Sequence, residues 1–258
     1  MIGYCPLASG SKGNAIFVAS RSKKLLIDAG LSAKALNEKL LQIGSSLSQI
    51  DAILITHEHV DHIHGLAVIA KKHQIPVFAN SDTAQAILEA HDRPIPFKIF
   101  STGETFTFGD IEIHPFSIQH DTLDPVAFTF NFANIKLGIC TDLGFATTLV
   151  KSRLAGCDYL YVEANHEPSM VHASSRSEAL KARILSRQGH LSNEQCADLI
   201  RDVAHPKLRH IYLAHLSAEC NHPHHAFSAA EKAVQGCNLS VPISIAHQHQ
   251  VSRPLIFD

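Results

Sequence analysis

The hexapeptide His57-Glu58-His59-Val60-Asp61-His62 limits the fold more than any other stretch of the 258 residues. It follows the apolar run Ala52-Ile53-Leu54-Ile55 and precedes Ile63-His64-Gly65-Leu66. It therefore reads as the exit of a buried strand into a helix. In an extended segment residues i and i+2 share a face, which lets His57 and His59 grip one metal ion together. Asp61 and His62 fall where the chain turns into the helix and can point at a second ion. Imidazole nitrogens with carboxylate oxygens suit zinc or manganese, and iron is compatible with the set. A polar loop at a strand end would account for a lone His-x-His. Four ligand-type residues in six positions ask for more.

A chain of 258 residues is long enough to bury a large core, and a single α/β domain of residues 1–258 is expected. The 45% hydrophobic and 18% charged content place it among globular proteins rather than disordered ones. A formal net charge of −2 excludes a global attraction to nucleic acid or anionic membrane, so any nucleic-acid contact must be local. Cys5, Cys140, Cys157, Cys196, Cys220 and Cys237 are scattered without a Cys-x-x-Cys pair. They read as small buried hydrophobes kept reduced in a cytosol. The start of the chain lacks a basic region followed by a long apolar core, so no signal peptide is expected. No run approaches the roughly 18 apolar residues that span a bilayer. A cytoplasmic location without membrane partners is the expectation.

Along the chain, Ala8–Asn14 reads as a small-residue turn between two short strands, Ala15–Val18 and Leu25–Ile27, with Gly supplying unusual dihedrals. It is also a candidate rim of a site. Asp28-Ala29-Gly30 ends the second of those strands. Ser32 can cap a helix through about Ile43, with Leu36, Leu40 and Ile43 at helical spacing and Gly44 as its stop. Helices are expected over about Gly65–Lys72 and Thr83–Glu89, a strand at Pro76–Phe78, and a loop over 91–96. Thr105–Phe108 and Ile111–Ile113 look like a hairpin whose second strand runs on to His120-Asp121.

Ala127–Phe132 and Lys136–Cys140 pair across Ala133-Asn134, and Tyr159–Val162 is one more strand with Glu163 at its tip. Residues 169–188 read as a loop followed by a helix around Glu178–Leu185. Ser192-Asn193-Glu194-Gln195 has capping-box form and opens a helix to about Val203. His210–Ala214 is a strand, Pro223–Gln235 a helix closed by Gly236, and Val241–Ala246 the last strand. Two halves, each of strands followed by helices, fit an αββα sandwich.

Two metals need more ligands than the hexapeptide holds. His120, Asp142 and His215 each follow a β run, so all three can gather at one rim of the sheets. Taken singly they have plain readings: a surface histidine, a turn former beside Gly144, a satisfied core histidine. Taken in this order after His57–His62, they read as a ligand set.

The hexapeptide closely resembles the His-x-His-x-Asp-His signature of the metallo-β-lactamase fold superfamily. A longer resemblance, to the YycJ/WalJ-type bacterial nucleases related to ribonuclease Z and PhnP-like phosphodiesterases, runs from residue 7 to residue 217. It is carried by Leu7–Ser11 with Gly13-Asn14, Leu26–Gly30, the metal motif, Cys140–Gly144, Glu163–His166, Leu180–Ile184, Gly189–Asn193 and Leu213–Ser217. The chain departs from that pattern at Val60, Glu167 and Cys220, none of them a proposed ligand.

The resemblance implies a four-layer αββα metallo-β-lactamase sandwich of the α/β (α+β) class. It implies two divalent metal ions, with His57, His59 and His120 on one, Asp61, His62 and His215 on the other, and Asp142 bridging. A carboxylate bridges through its two oxygens, which neutral imidazole cannot do. Asp28 is implied as a support of the metal loop.

The implied activity is a metal-dependent phosphodiesterase or nuclease, a 5′ exonuclease acting on DNA rather than RNA, with a homodimer as an allowed assembly. Two metals about 3.5–4 Å apart would share a water whose pKa falls toward 7, and the resulting hydroxide would attack phosphorus. Asp61 belongs to that centre, and His190, oriented by Glu163, would protonate the departing sugar oxygen. His190 also has a plain reading, as a helix-start residue beside Ser192.

Lys181, Arg183 and His166 are candidate substrate contacts, within a run of six cations from Lys151 to Arg187 that also reads as a solvated helix face. The alternative function is a thioester or lactone hydrolase, or a small-molecule phosphodiester hydrolase, of the same superfamily. An oxygen-reducing diiron protein is disfavoured by His59, where that type carries Glu. A purely structural metal protein is disfavoured by a ligand set that leaves a position for water.

Overall fold

The structure is a computed structural model that describes residues 2–90 and 95–257; most of the expected loop over 91–96 lies outside them. The chain divides into two compact units. The first comprises Met1–Pro115, Thr122–Val126 and His247–Asp258, and the second Phe116–Asp121 and Ala127–Ala246.

In chain order the first unit holds β1 (Gly3–Ala8), β2 (Ala15–Ala19), β3 (Lys24–Ile27), α1 (Ala33–Gln42), β4 (Ala52–Leu54), α2 (Val60–Ile63), α3 (Leu66–His73), β5 (Val77–Ala79), α4 (Ser81–Ala90), β6 (Phe97–Ile99) and β7 (Phe106–Phe108). From there β8 (Ile111–Ser117) carries the chain into the second unit, and β7 pairs with it as an antiparallel hairpin. The second unit holds β9 (Val126–Phe132), β10 (Ile135–Cys140), α5 (Thr148–Leu154), β11 (Tyr159–Glu163), α6 (Pro168–Ala173), α7 (Glu178–Ile184), α8 (Asn193–Val203), β12 (His210–Ala214), α9 (Pro223–Gly236) and β13 (Ile243–Ile245). The chain then returns to the first unit for β14 (Leu255–Ile256).

The first unit's sheet runs β14-β1-β2-β3-β4-β5-β6, antiparallel up to β3 and parallel beyond it. Its core gathers Leu26, Ile53 and Val77 from the strands with Leu36 and Leu40 of α1 and Ile69 of α3. Leu36 and Leu40 are both fully buried; four residues apart, they lie one above the other on a single helix face. Burial of each stabilises the unit by about 1.5–3 kcal/mol. Ser32 caps α1 by accepting from the Ala35 amide.

In the second unit β9 and β10 are antiparallel, and β10, β11, β12 and β13 are parallel. Its core is separate, built on Leu160, Val162, Ile211 and Leu213 under Ile200 of α8 and Ala230 of α9. Ser192 and Gln195 form the expected capping box of α8. All six cysteines are free thiols and five are buried. Burial pushes Cys5 and Cys157 up to about 12, and Cys140 and Cys196 also rise.

Three local expectations are corrected. The small-residue turn after Ala8 joins β1 to β2 rather than separating β2 from β3, because Tyr4, Cys5 and Leu7 are fully buried and form a strand of their own. The strand expected to reach His120-Asp121 ends at Ser117, and the chain turns there, with Gln119 accepting from the Gly144 amide. Residues 169–188 hold a second short helix, α6, which Pro168 can open because a first-turn residue needs no backbone N–H.

Parallel pairing fixes where functional side chains emerge. In the second unit Cys140 lies opposite Val162, and Glu163 opposite Ala214. Asp142, Glu163 and His215 therefore leave three neighbouring strands at one edge. In the first unit Ile27 lies opposite Leu54, so Asp28 and the segment Thr56-His57 share an edge as well. In open α/β sheets these carboxyl ends are where ligands bind.

Candidate metal centre

In the first unit the loop after β4 is held by main-chain bonds before any side chain acts. The Asp61 carbonyl accepts from the Asn14 amide, the His62 carbonyl from the Ala29 amide, and the Ala29 carbonyl from the Gly65 amide. Gly30 makes the approach feasible: a Cβ on it would lie 1.7 Å from the Asp61 carbonyl oxygen.

Side chains then orient the imidazoles. Asp28 adopts a left-handed backbone, φ 63°, and its carboxylate accepts from the Thr56 amide at 2.9 Å, from the Thr56 hydroxyl at 2.9 Å and from His62 Nδ1 at 2.7 Å. Thr56 has one hydroxyl proton and directs it at Asp28, so its oxygen accepts from His57 Nδ1 at 3.0 Å. Both histidines thus carry their proton on Nδ1 and their lone pair on Nε2. Metal-binding histidines typically hold this tautomer, fixed by a carboxylate or hydroxyl behind them.

The rings cluster: His57 lies 4.9 Å from His59 and 4.0 Å from His62 between centroids. Asp61 approaches His62 Nε2 at 3.5 Å. Asn14 donates toward Asp61 Oδ2 at 3.1 Å and stands 3.0 Å from His62 Nε2. The loop and its flanking turn thus present two donor pairs, His57 with His59 and Asp61 with His62, of the kind that ligate divalent ions.

The second unit makes its own cluster. Asp142, Glu163, His190 and His215 each offer one ligand atom, and these atoms all lie within 4.8 Å of one another. Glu163 is fully buried. Its Oε1 accepts from His190 Nδ1 at 2.7 Å, and its Oε2 accepts from the Leu143 and Leu191 amides at 3.0 and 3.1 Å. His190 is thereby aimed with Nε2 outward, beside His215 at 5.2 Å and His120 at 5.2 Å between ring centroids.

Asp142 stands 3.3 Å from His215 Nδ1. Both residues have left-handed backbones, φ 59° and φ 53°, and Asn165 holds the second by donating to the His215 carbonyl at 2.7 Å. His120 Nδ1 faces the carbonyls of Gln188 and Gly189 at 3.1 and 3.0 Å. Only a protonated Nδ1 can meet a carbonyl, so His120 too presents the Nε2 lone pair.

The candidate substrate contacts are more committed. Arg183 is ion-paired with Asp121, and Lys181 bonds Glu178 and the His172 carbonyl, both at 3.0 Å. Lys151 pairs with Asp202 and Arg176 with Glu219. The run of cations from Lys151 to Arg187 is thus largely neutralised within the unit. His166 is buried, and its Nδ1 has no hydrogen-bond partner among the described residues. Burial holds it down at about 4, the charge of Glu163 opposing that shift and His190 adding to it.

Sequence patterning gives no role to Thr56, Asn14 or Asn165, although the last two fall in segments that carry the family resemblance. Thr56 alone carries a local signal, a hydroxyl set directly between the strand and the first histidine. The roles of Asn14 and Asn165 come from partners 47 or more positions away.

Residues 23–216 match the beta-lactamase superfamily domain. The exodeoxyribonuclease YycJ of Bacillus anthracis is 42% identical over 221 residues, covering 84% of this chain and 83% of that protein. The exodeoxyribonuclease WalJ of Streptococcus pneumoniae serotype 2 is 38% identical over 226 residues, covering 84% and 82%. Among solved structures, the metallo-β-lactamase fold protein YhfI from Bacillus subtilis superposes with a TM-score of 0.73 at 15% identity, over 96% of this chain and 97% of that one. Two mixed sheets with helices and this likeness bear out the α/β metallo-β-lactamase sandwich. No helix among the described residues is long and apolar enough to cross a membrane.

Proposed function

Because the chain belongs to the beta-lactamase superfamily and, within it, to the family of the YycJ and WalJ exodeoxyribonucleases, we propose that it removes nucleotides from the 5′ end of DNA. As a member of that family it is a metal-dependent hydrolase. The observation that carries the nuclease reading is the pair Glu163–His190, set at 2.7 Å beside Asp142 and His215. A carboxylate behind an imidazole orients it and stabilises its charged form, which suits it to hand a proton to a leaving oxygen.

In this proposal His57, His59 and His120 hold one divalent metal, Asp61, His62 and His215 hold the other, and Asp142 serves both. Zinc or manganese suits these imidazole and carboxylate donors, with iron compatible. When bound, such ions supply Lewis-acid charge and make water acidic enough to be a nucleophile at neutral pH.

The chain's own residues do the rest. Asp61 takes a proton from the attacking water, and Asp28 keeps His62 in its binding tautomer. His190 delivers a proton from Nε2 to the departing sugar oxygen while Glu163 stabilises the charged imidazole. His166 donates to a substrate oxygen, and Lys181 and Arg183 reach the nucleic acid once their carboxylates release them. The units act together as a single domain of residues 1–258, in the cytoplasm, alone or as a homodimer.

End-labelled single- and double-stranded DNA and RNA, incubated with manganese or zinc beside an Asp142→Asn control, test the reading. Stepwise loss of nucleotides from 5′ ends of DNA, abolished in the control, is the expected result. Turnover of thioesters without turnover of any phosphodiester would instead make the chain a thioester or lactone hydrolase.

A further inference from the structure

The first unit contains a hollow of about 760 Å³ lined by Ser32 and Lys34 of the α1 start, His64 after α2, and Lys72 and His73 of the α3 end. Glu38 is the single carboxylate among its lining residues. Lys34, His64, Lys72 and His73 make no side-chain hydrogen bond or ion pair with the described residues, in contrast to Lys151, Arg176, Lys181 and Arg183 of the second unit. Two lysines without carboxylate partners, flanked by two imidazole donors around a concavity, are the electrostatic footprint of a polyanion site.

Lys72 and His73 close α3, where the negative end of a helix favours cations, so the helix alone would explain them. Lys34 has no such explanation. It sits in the first turn of the ten-residue α1, where the helix dipole is positive, and that turn has no acidic residue. A cation there works against its own helix, and such local conflicts concentrate at functional positions. An anion in the hollow resolves the conflict by meeting Lys34 and the α1 start together.

We propose that this hollow binds the phosphate backbone of the nucleic acid on which the chain acts; the inference rests on the exonuclease reading. His64 follows His62 by two positions in the same turn. At ~100° per residue it points to the opposite side of that turn. Phosphates seated here belong to the strand beyond the cleaved end, so the hollow retains the polymer rather than assisting the chemical step. His64 serves as a donor through an imidazole N–H in either protonation state.

Binding of a fluorescent single-stranded oligonucleotide across a salt series tests this. In the Lys34→Gln/Lys72→Gln variant, affinity should fall and the log–log salt slope should become shallower by about 1.4, at ~0.7 per phosphate contact on a single strand. Lys34→Glu, which also faces Glu38 one turn along α1, should lower affinity further; a merely structural role predicts no loss of affinity. If the wild type degrades DNA while the Gln/Gln variant, folded to the wild-type melting temperature, keeps its affinity and slope, the inference is overturned alone. If the wild type neither binds nor degrades the oligonucleotide, the exonuclease reading falls and takes this one with it.

Discussion

The carboxylate of Asp28 stands 2.7 Å from Nδ1 of His62, and Asp28 reaches it from a backbone at φ 63°. Asparagine tolerates that conformation, so Asp28→Asn isolates the charge from the backbone. Metal affinity should drop about 10–100-fold, the usual effect of removing a partner behind a ligating histidine. Competition with a chromogenic chelator reads it, and an unchanged affinity would remove Asp28 from the centre.

Glu163→Gln keeps an oxygen for the Leu143 and Leu191 amides but loses the charge facing His190. kcat on DNA should fall by about 10²-fold or more, with a displaced pH–rate profile. Bound metal is measured alongside. A matching loss of metal would make Glu163 a ligand instead of the partner of a proton donor.

His166 gives a pH signature in stability. Its folded value of about 4 lies below the ordinary 6.5, so between those values the unfolded chain binds the extra proton. Stability from this group is intact above pH ~6.5 and is lost as pH falls toward 4, by about 3 kcal/mol in all. His166→Gln should flatten this window in urea titrations at successive pH values. The charges of Glu163 and His190 act on the group in opposite directions. An equally steep decline in the variant would assign the loss to another group.

Gly30→Ala would drive a methyl into the Asp61 carbonyl. The backbone must shift on one side, at a cost of about 1–3 kcal/mol. Because the Asp61 carbonyl also accepts from the Asn14 amide, metal content should fall together with the melting temperature. Wild-type values of both would mean that the loop is looser than its bonds suggest.

Much of this was legible in the residues themselves. His210–Ala214 is a short, nearly continuous apolar run and Pro223–Gly236 a segment opened by proline and closed by glycine, and they form β12 and α9, and the ligand-rich turn follows its strand as its spacing requires. Partners distant in sequence were not legible. β14 is defined by pairing with β1, some 250 positions away, and β1, though it pairs with the adjacent β2, contains Pro6, which argues against a strand on local rules. Charge composition also misdirected: the cations near Arg183 look like a binding patch until their carboxylates are located, Asp121 and Asp202 among them.

Asp28, Asp142 and His215 share a left-handed backbone, φ 63°, 59° and 53°. For side chains other than glycine this geometry is tolerated only when surrounding bonds hold it. Evolutionary drift at these three positions is therefore channelled: asparagine or glycine can enter without moving the main chain, whereas valine, isoleucine or threonine cannot. A descendant relieved of its chemistry should relax here first, gaining stability as glycine replaces each of the three.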